Sequence, residues 1–412
     1  MKRGSFWLFA LLIAFSIVFV CQCADEGDDD DDDDQPDDDD DFDDPLEEGR
    51  YWLQAGEPER ARMAFERAFE VYPDHPDAHY GIMLSGGLHL WELLSLVSTY
   101  LIDAQDGFPT QEIDPNRELL RVILEIIADG YFSPAGDNIR GHAAWLEANG
   151  DPAFIIDNIP VMFMLDQVAG LGSEFDVSER QGCLVFGNLF DGLGGTLISL
   201  QADFSLSYVF TLMDLDFGEY ETLEIVSLIV DMIDRILHDP GFPNTFRIDP
   251  DYIDRMAESR LQIGSGLVGF KATLDAVRAE TDPQDDDVLG YEDLNGSGHY
   301  DEGDPFVIPG LGPLDEQDMA LTLGLEELTF DLGAAMLDRT ELDLDPGQDN
   351  PFHLSSINKL LEAFDVPPII PDFLTVDVAA FYEDLNPDSI RDLLQMLVNL
   401  LQPFLPEPPD VF

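Results

Sequence analysis

An excess of acidic residues is the feature that most constrains this 412-residue chain. Asp and Glu number 86 against 19 Lys and Arg, and 16 of the acids fall within the 20 positions of residues 25–44. Such a segment has little apolar surface to bury and its charges repel, which predicts a disordered, Asp-rich tether over residues 24–47. The net charge of −67 also argues against a nucleic-acid partner, because phosphate groups would be repelled.

The segment before the tether has the order of a secretory signal peptide. Lys2 and Arg3 precede an apolar run at residues 6–20, and small or polar residues follow it. We therefore predict a signal peptide over residues 1–23. The run is shorter than the roughly 20 residues that a membrane-spanning helix needs. An uncleaved membrane anchor is the alternative.

Two cysteines, Cys21 and Cys23, stand at the end of the apolar run. Their position resembles that of the lipidated cysteine in bacterial lipoprotein signals. The resemblance implies that one of them carries the lipid and anchors the exported protein to a membrane of the cell envelope. Val20 and Gln22 precede the two cysteines, where that family has a small residue. Ordinary cleavage near Cys23 or Ala24, giving a soluble exported protein, is the alternative.

Most of the remaining chain has the periodicity of helices. Apolar residues recur every three or four positions over residues 118–127, 221–237 and 252–280, and Pro387 suits the first turn of a last helix. One β-hairpin is possible, with strands at residues 154–165 and 175–177. We predict a mainly α-helical array, with a central helical domain at 83–280 and a C-terminal helical segment at 311–412.

Small and aromatic residues at the start of this array are spaced for a tight helical hairpin over residues 48–82. Small residues let two helices approach, and aromatic residues fill the space between them. The residues concerned are Gly49, Trp52, Ala61, Phe65, Ala68 and Pro73. They resemble one tetratricopeptide repeat, which implies a protein partner. A hairpin that only caps the following helices is the alternative, since stable arrays need about three repeats.

Residues 293–304 (DLNGSGHYDEGD) place oxygen-bearing side chains at alternate positions around Gly298. The segment resembles the calcium loop of EF-hand and dockerin-like proteins. The resemblance implies a structural Ca²⁺ site within residues 281–310, with Tyr300 facing inward. The implied ligands are Asp293, Asn295, Ser297, the backbone of His299, Asp301 and Asp304. Asp304 replaces the usual Glu, and Pro305 removes the usual exiting helix. An ion-free acidic turn is the alternative, and residues 343–349 form a weaker acidic turn.

Three other patterns have simpler interpretations. The G-x-G-x-x-G sequence at residues 264–269 lies inside the helical pattern of residues 252–280, which favours close helix crossing over nucleotide binding. His75 and His79 are four residues apart, and we interpret them as two surface histidines rather than as zinc ligands. Cys183 lies in an apolar stretch and is interpreted as a buried small hydrophobic residue.

No catalytic motif accompanies these features. The sequence therefore predicts a non-enzymatic, exported, membrane-anchored and calcium-binding helical protein that acts as a binding or scaffold component of the cell envelope. A carrier of an apolar ligand in the periplasm is one alternative, because residues 161–237 are rich in Leu, Phe and Ile. An enzyme of an unrecognised class is the other.

Overall fold

The computed structural model describes residues 42–104, 128–150, 152–163, 166–201, 222–238, 247–248, 252–280, 289–301, 303–308, 312–337, 352–363, 368, 370, 375–378 and 387–402. The predicted signal peptide, Cys21, Cys23, most of the tether, the predicted helix at 118–127 and the acidic turn at 343–349 lie outside these residues. The predicted bound of the tether at residue 47 is wrong, because Asp44 caps a helix that begins at Pro45. Helices account for most of the described residues, and most of the strands are only two or three residues long. The prediction of a mainly α-helical array is confirmed.

The described α-helices range from 6 to 29 residues in length. The helices are α1 (Pro45–Gln54), α2 (Pro58–Val71), α3 (Pro76–Ala104), α4 (Ser133–Ala148), α5 (Val177–Ser199), α6 (Thr222–His238), α7 (Ile253–Ala279), α8 (Glu316–Met336), α9 (Ile357–Glu362) and α10 (Pro387–Leu401). The strands are β1 (Phe154–Phe163), β2 (Asp166–Phe175), β3 (Leu200–Gln201), β4 (Arg247–Ile248), β5 (Gly290–Tyr291), β6 (Phe306–Ile308), β7 (Gly312–Pro313), β8 (Phe352–His353) and β9 (Thr375–Val376). None of the described helices is long and apolar enough to cross a membrane.

The first three helices pack around one aromatic side chain, Phe65 of α2. Its ring is fully buried and lies between Gly49 of α1 and Gly81 of α3. A Cβ atom added at Gly49 would stand 2.8 Å from this ring, and one at Gly81 would stand 2.3 Å from it. The predicted helical hairpin is therefore present, and it needs glycine at both contacts. Helix α3 continues it without a break across the predicted boundary at residue 82.

A β-hairpin packs on this helical unit. Strands β1 and β2 pair antiparallel, with Phe154 opposite Phe175. Phe154, Ile156 and Ile159 are buried in the same core as the first three helices. The first strand agrees with the prediction, but the partner strand ends at Phe175 instead of beginning there. Glycines in β2, such as Gly170, weaken the strand pattern in the sequence and explain the error.

The central part of the fold is built on α5, which packs most extensively against α7, while α7 packs in turn against α8. Helices α6 and α7 begin and end within one residue of their predicted bounds, and α10 begins at Pro387, as predicted. Gly264 of α7 lies against Gly333 of α8, where an added Cβ would stand 3.1 Å from the carbonyl oxygen. Gly266 faces Leu189 of α5 in the same way, at 2.7 Å. The glycines at 264–269 thus allow close helix crossing, as interpreted from the sequence.

A buried carboxylate joins three of these helices. Asp191 of α5 is almost fully buried and accepts hydrogen bonds from Arg140 (2.8 Å) and Ser133 (2.7 Å) of α4. It also accepts hydrogen bonds from Arg255 (2.6 Å) and from the side-chain amide of Gln262, both on α7. A buried charge is tolerated only when it is paired and hydrogen-bonded, so this network fixes the relative positions of α4, α5 and α7.

The contact at Gly81 predicts opposite effects for two alanine substitutions on the same helix. Gly81→Ala forces a Cβ into the Phe65 ring and should lower the free energy of unfolding by about 1–3 kcal/mol. Gly87→Ala meets nothing within 4 Å and should raise it by about 0.5–1 kcal/mol, because alanine favours the helix. Urea denaturation of both variants measures the difference. Equal effects of the two substitutions would contradict the packing described for Phe65.

Candidate calcium-binding loop

The predicted calcium loop lies at the tip of a β-hairpin. Strand β5 precedes it and strand β6 follows it, and the two pair antiparallel with Tyr291 opposite Phe306. At the base of the loop, the backbone N–H of Glu292 donates to the carbonyl of Pro305 at 2.9 Å. The loop is therefore closed by strands on both sides, in place of the two helices of an EF-hand. All of its residues except Glu302 are described.

The carboxylate of Asp293 organises the first half of the loop. Its Oδ1 accepts the backbone N–H groups of Asn295 (3.2 Å), Gly296 (2.7 Å) and Ser297 (3.1 Å), and its Oδ2 accepts that of Gly298 (2.7 Å). Gly298 has a φ of 77°, which favours glycine at this turn. The N–H of Gly298, followed by the other backbone donors, lowers the pKa of Asp293. The turn is thus built around a charged carboxylate.

Asp301 contacts side chains on the exposed side of the loop. The Asn295 side-chain amide donates to it at 2.7 Å, and the imidazole of His299 lies 3.5 Å away. Hydrogen bonds from the Asn295 and Ser297 side chains lower the pKa of Asp301, while the nearby charge of Asp293 opposes them. Four of the predicted ligands, Asp293, Asn295, Ser297 and Asp301, are therefore within interaction distance of one another.

Asp304 has a different position from the other predicted ligands. It is 3% exposed, and its two oxygens accept the backbone N–H groups of Leu294 (3.2 Å) and Asp301 (2.8 Å). One carboxylate thus ties both arms of the loop together from the buried side. Its oxygens are occupied by the backbone, whereas the resemblance assigned them to the metal.

The donor set fits Ca²⁺ in kind, but its side chains do not form a ready cage. Calcium takes about 6–8 oxygen ligands, and the loop offers carboxylate, amide, hydroxyl and carbonyl oxygens. Among the described residues, however, no three His, Cys, Asp or Glu side chains form a group that could hold a metal ion. The Asn295 amide nitrogen donates to Asp301 Oδ2, so these two side chains bind each other. To bind an ion at this turn, both side chains would have to rotate so that their oxygen atoms face it.

An aromatic base fixes the loop on the helices. Tyr300 stacks on Phe306, with ring centroids 5.5 Å apart, and meets Tyr291 edge-on at 5.6 Å. The guanidinium of Arg278 lies 5.3 Å from the centre of the Phe306 ring and donates two hydrogen bonds to Glu326 of α8, at 2.8 and 2.6 Å. Tyr300 faces inward, as the resemblance implied. The loop therefore rests on both α7 and α8, which also contact each other directly.

Glu179, which the sequence analysis did not single out, holds the strand that enters the loop. Its Oε1 accepts the N–H of Leu289 at 2.8 Å, and its Oε2 accepts the N–H of Asp176 at 2.9 Å. The side chain of Asp176 accepts the N–H of Ser178, so Asp176 caps the start of α5 while Glu179 reaches back to the N–H of Asp176. Burial raises the pKa of Glu179 to about 8, although both backbone donors favour its charged form. The sequence does carry a signal for this helix cap: Glu179 is an acidic residue three positions after Asp176, just before an apolar run.

One of the two histidines that we interpreted as surface residues is buried. His79 is 2% exposed, so its interpretation as a surface residue is wrong, whereas His75 is exposed. His79 Nδ1 lies 2.8 Å from His142 Nδ1, and its Nε2 lies 2.9 Å from the carbonyl oxygen of Pro73. Burial, and secondarily His79, lowers the pKa of His142 to about 4. No sequence pattern pointed to His142, since it lies 63 positions from its partner.

Cys183 is partly buried beside the core of the first three helices. Burial raises the pKa of its thiol to about 12, which keeps it protonated. This agrees with its interpretation as a small hydrophobic residue.

No protein-family model, curated protein or solved structure matches this chain.

The buried Glu179 predicts a pH dependence of stability that one substitution removes. Because the pKa of Glu179 is raised in the folded protein, its contribution to the free energy of unfolding is complete below pH 4.5 and is lost as the pH rises towards 8. The free energy of unfolding of Glu179→Gln should therefore fall less steeply over this range than that of the wild type. Glu147→Gln, at an exposed position of α4, is the control and should keep the wild-type slope. Urea denaturation at several pH values tests this, and identical slopes in all three proteins would contradict it.

Proposed function

We propose that this protein is an exported, membrane-anchored and calcium-binding scaffold of the cell envelope. The observation that supports the proposal best is the closed turn of residues 293–304, whose backbone winds around the charged carboxylate of Asp293. Such a turn presents several hard oxygen atoms within one short segment, as Ca²⁺ requires. The order of basic, apolar and small residues at the N-terminus supports export. The cysteines Cys21 and Cys23 support the lipid anchor.

The electrostatics of the loop favour a divalent cation. Asp293, Asp301 and Asp304 lie within twelve residues of an already strongly acidic chain. Hydrogen bonds from the loop lower the pKa of Asp293 and of Asp301, so both carboxylates stay ionised and repel each other. When bound, Ca²⁺ neutralises this charge. Outside the cell, where calcium modules bind at about 10⁻⁴–10⁻³ M, the site stays filled and its role is structural.

The residues around the loop connect it to helices α7 and α8. Tyr300 packs on the Phe306 ring and under the Arg278 guanidinium, and Arg278 pairs with Glu326 of α8. Glu326 is buried and also accepts a hydrogen bond from Lys271 of α7 at 3.0 Å. Fixing the loop therefore supports the α7–α8 pair, which gives the calcium a stabilising role without any catalytic step.

The helical unit formed by α1, α2 and α3 is the part that we assign to binding a protein partner. The close packing of these helices around Phe65, together with the sequence resemblance to one tetratricopeptide repeat, supports this assignment. The Asp-rich tether, which ends where α1 begins at Pro45, would hold the body away from the membrane, so that a partner can reach it.

Carriage of an apolar ligand is the second candidate, and one cleft of the described residues is where such a ligand would enter. Leu53 and Pro58 of the helical hairpin, Trp91 of α3 and Pro160 of β1 line a cleft of about 330 Å³, which includes space open to solvent. The cavity itself is only about 20 Å³, which is room for about one water molecule, so an apolar ligand would bind only if the cleft widened. Lipid that co-purifies with the protein would favour this candidate over the scaffold.

Calorimetry with calcium tests the proposed site. The wild type should bind Ca²⁺ with a dissociation constant of about 10⁻⁴–10⁻³ M. Asp301→Ala, which removes an exposed ligand, and the double variant Asp293→Ala with Asp304→Ala should show no binding heat. Glu292→Gln removes a charge from the base of the same loop, at an exposed residue that is not a predicted ligand, and should bind as the wild type does. Equal heats in all four proteins would refute the site.

A further inference from the structure

A modification site lies inside the loop, at the dipeptide Asn295–Gly296. Both residues are exposed, and an added Cβ at Gly296 would meet nothing within 4 Å. An asparagine followed by glycine is prone to spontaneous deamidation, because no side chain on the following residue obstructs ring closure. Gly296 also has a φ of 71°, a conformation that suits glycine.

We propose that Asn295 is a site of spontaneous deamidation whose rate is restrained by the carboxylates of Asp293 and Asp301. In this reaction the backbone nitrogen of Gly296 loses its proton and bonds to Cγ of Asn295. The Cγ–Nδ2 bond then breaks, and the side-chain nitrogen leaves as ammonia. Water opens the resulting succinimide at either carbonyl, which gives an aspartate or an isoaspartate at position 295. Water is the only co-reactant, and no oxidant or reductant is needed.

The structure holds both nitrogen atoms that the reaction uses. The N–H of Gly296 donates to Asp293 Oδ1 at 2.7 Å, and the Nδ2 group of Asn295 donates to Asp301 Oδ2 at 2.7 Å. The first bond fixes the attacking nitrogen in the turn, and the second keeps the Asn295 side chain pointing across the loop. The same two negative charges disfavour an approaching hydroxide and an anionic backbone nitrogen. Loss of either carboxylate removes one bond and one charge.

A second Asn–Gly dipeptide provides an internal comparison. Asn149 follows the last residue of α4, and its Nδ2 group donates to the carbonyl of Trp145 at 2.8 Å. The N–H of Gly150 donates to the carbonyl of Glu147 at a longer distance, 3.3 Å. Both acceptors are neutral backbone groups. Asn149 therefore reports the general rate of deamidation in each sample, independently of the loop carboxylates.

Deamidation at position 295 would change the loop in one of two ways. An aspartate adds a further carboxylate at the third loop place. An isoaspartate carries the main chain through the former side chain and so displaces the turn that Asp293 holds. The inference goes beyond the proposed function and does not depend on calcium, because the reaction uses only Asn295, Gly296 and water.

Peptide mass spectrometry of the full-length protein tests the inference. The wild type, Asp293→Ala, Asp301→Ala and Glu292→Gln are incubated in mildly alkaline buffer with a calcium chelator. Conversion at Asn295 and at Asn149 is then followed over time in the same digests. Relative to Asn149, conversion at Asn295 should be faster by about five-fold in the two Asp variants, the factor that one ordinary hydrogen bond contributes to an equilibrium. Glu292→Gln should match the wild type.

Two results would overturn the inference. One is an Asn295 rate that is the same in all four proteins, which would remove the role of the carboxylates. The other is the lack of conversion at Asn295 in every protein while Asn149 converts, which would remove the site itself. Neither result depends on whether the loop binds Ca²⁺, so failure here is distinguishable from failure of the proposed calcium site.

Discussion

The buried carboxylate of Asp191 is the interaction on which the arrangement of the central helices depends. Two guanidinium groups, those of Arg140 and Arg255, approach it from different helices at 2.8 and 2.6 Å. Each arginine also meets a carboxylate nearer the surface, Asp137 at 2.6 Å and Glu258 at 3.2 Å. The outer pairs are screened by water and contribute little. Asp191 is 1% exposed, and removing such a partner leaves charges unpaired in a poorly hydrated site.

The helix that carries Asp191 also positions the candidate site. At its N-terminus, Glu179 of α5 binds the backbone of Leu289, just before the strand that enters the loop. Farther along, α5 packs closely against α7, and α7 supplies Arg278 beneath the aromatic base of the loop. The loop is therefore fixed to the helical body at both ends, while its tip is organised by its own carboxylates. This division explains how an exposed acidic turn can hold a defined shape.

The sequence predicted the elements better than the contacts between them. Periodicity located α6 and α10, because an amphipathic stripe is a local property. The recurring apolar residues of 252–280 also located α7, which packs against both α5 and α8. Small residues such as Gly49 located the helical hairpin for the same reason. The loop turn at Gly298 was predictable from spacing, but the burial of Asp304 was not, because it depends on strands β5 and β6 closing beneath it. Asp191 and His142 gave no local signal, since their partners lie on other helices and come together only in the folded chain.

A comparison of two carboxylates that contact the same arginine tests the central claim most directly. Asp191→Asn should lower the free energy of unfolding by about 3–5 kcal/mol, because Arg140 and Arg255 lose a buried counter-charge. Asp137 is the other carboxylate that pairs with Arg140, and its side chain is 77% exposed. Asp137→Asn should therefore cost at most about 1 kcal/mol. Urea denaturation of both variants at one pH gives the two values. A loss for Asp191→Asn as small as that for Asp137→Asn would contradict the claim that this carboxylate organises the helical body.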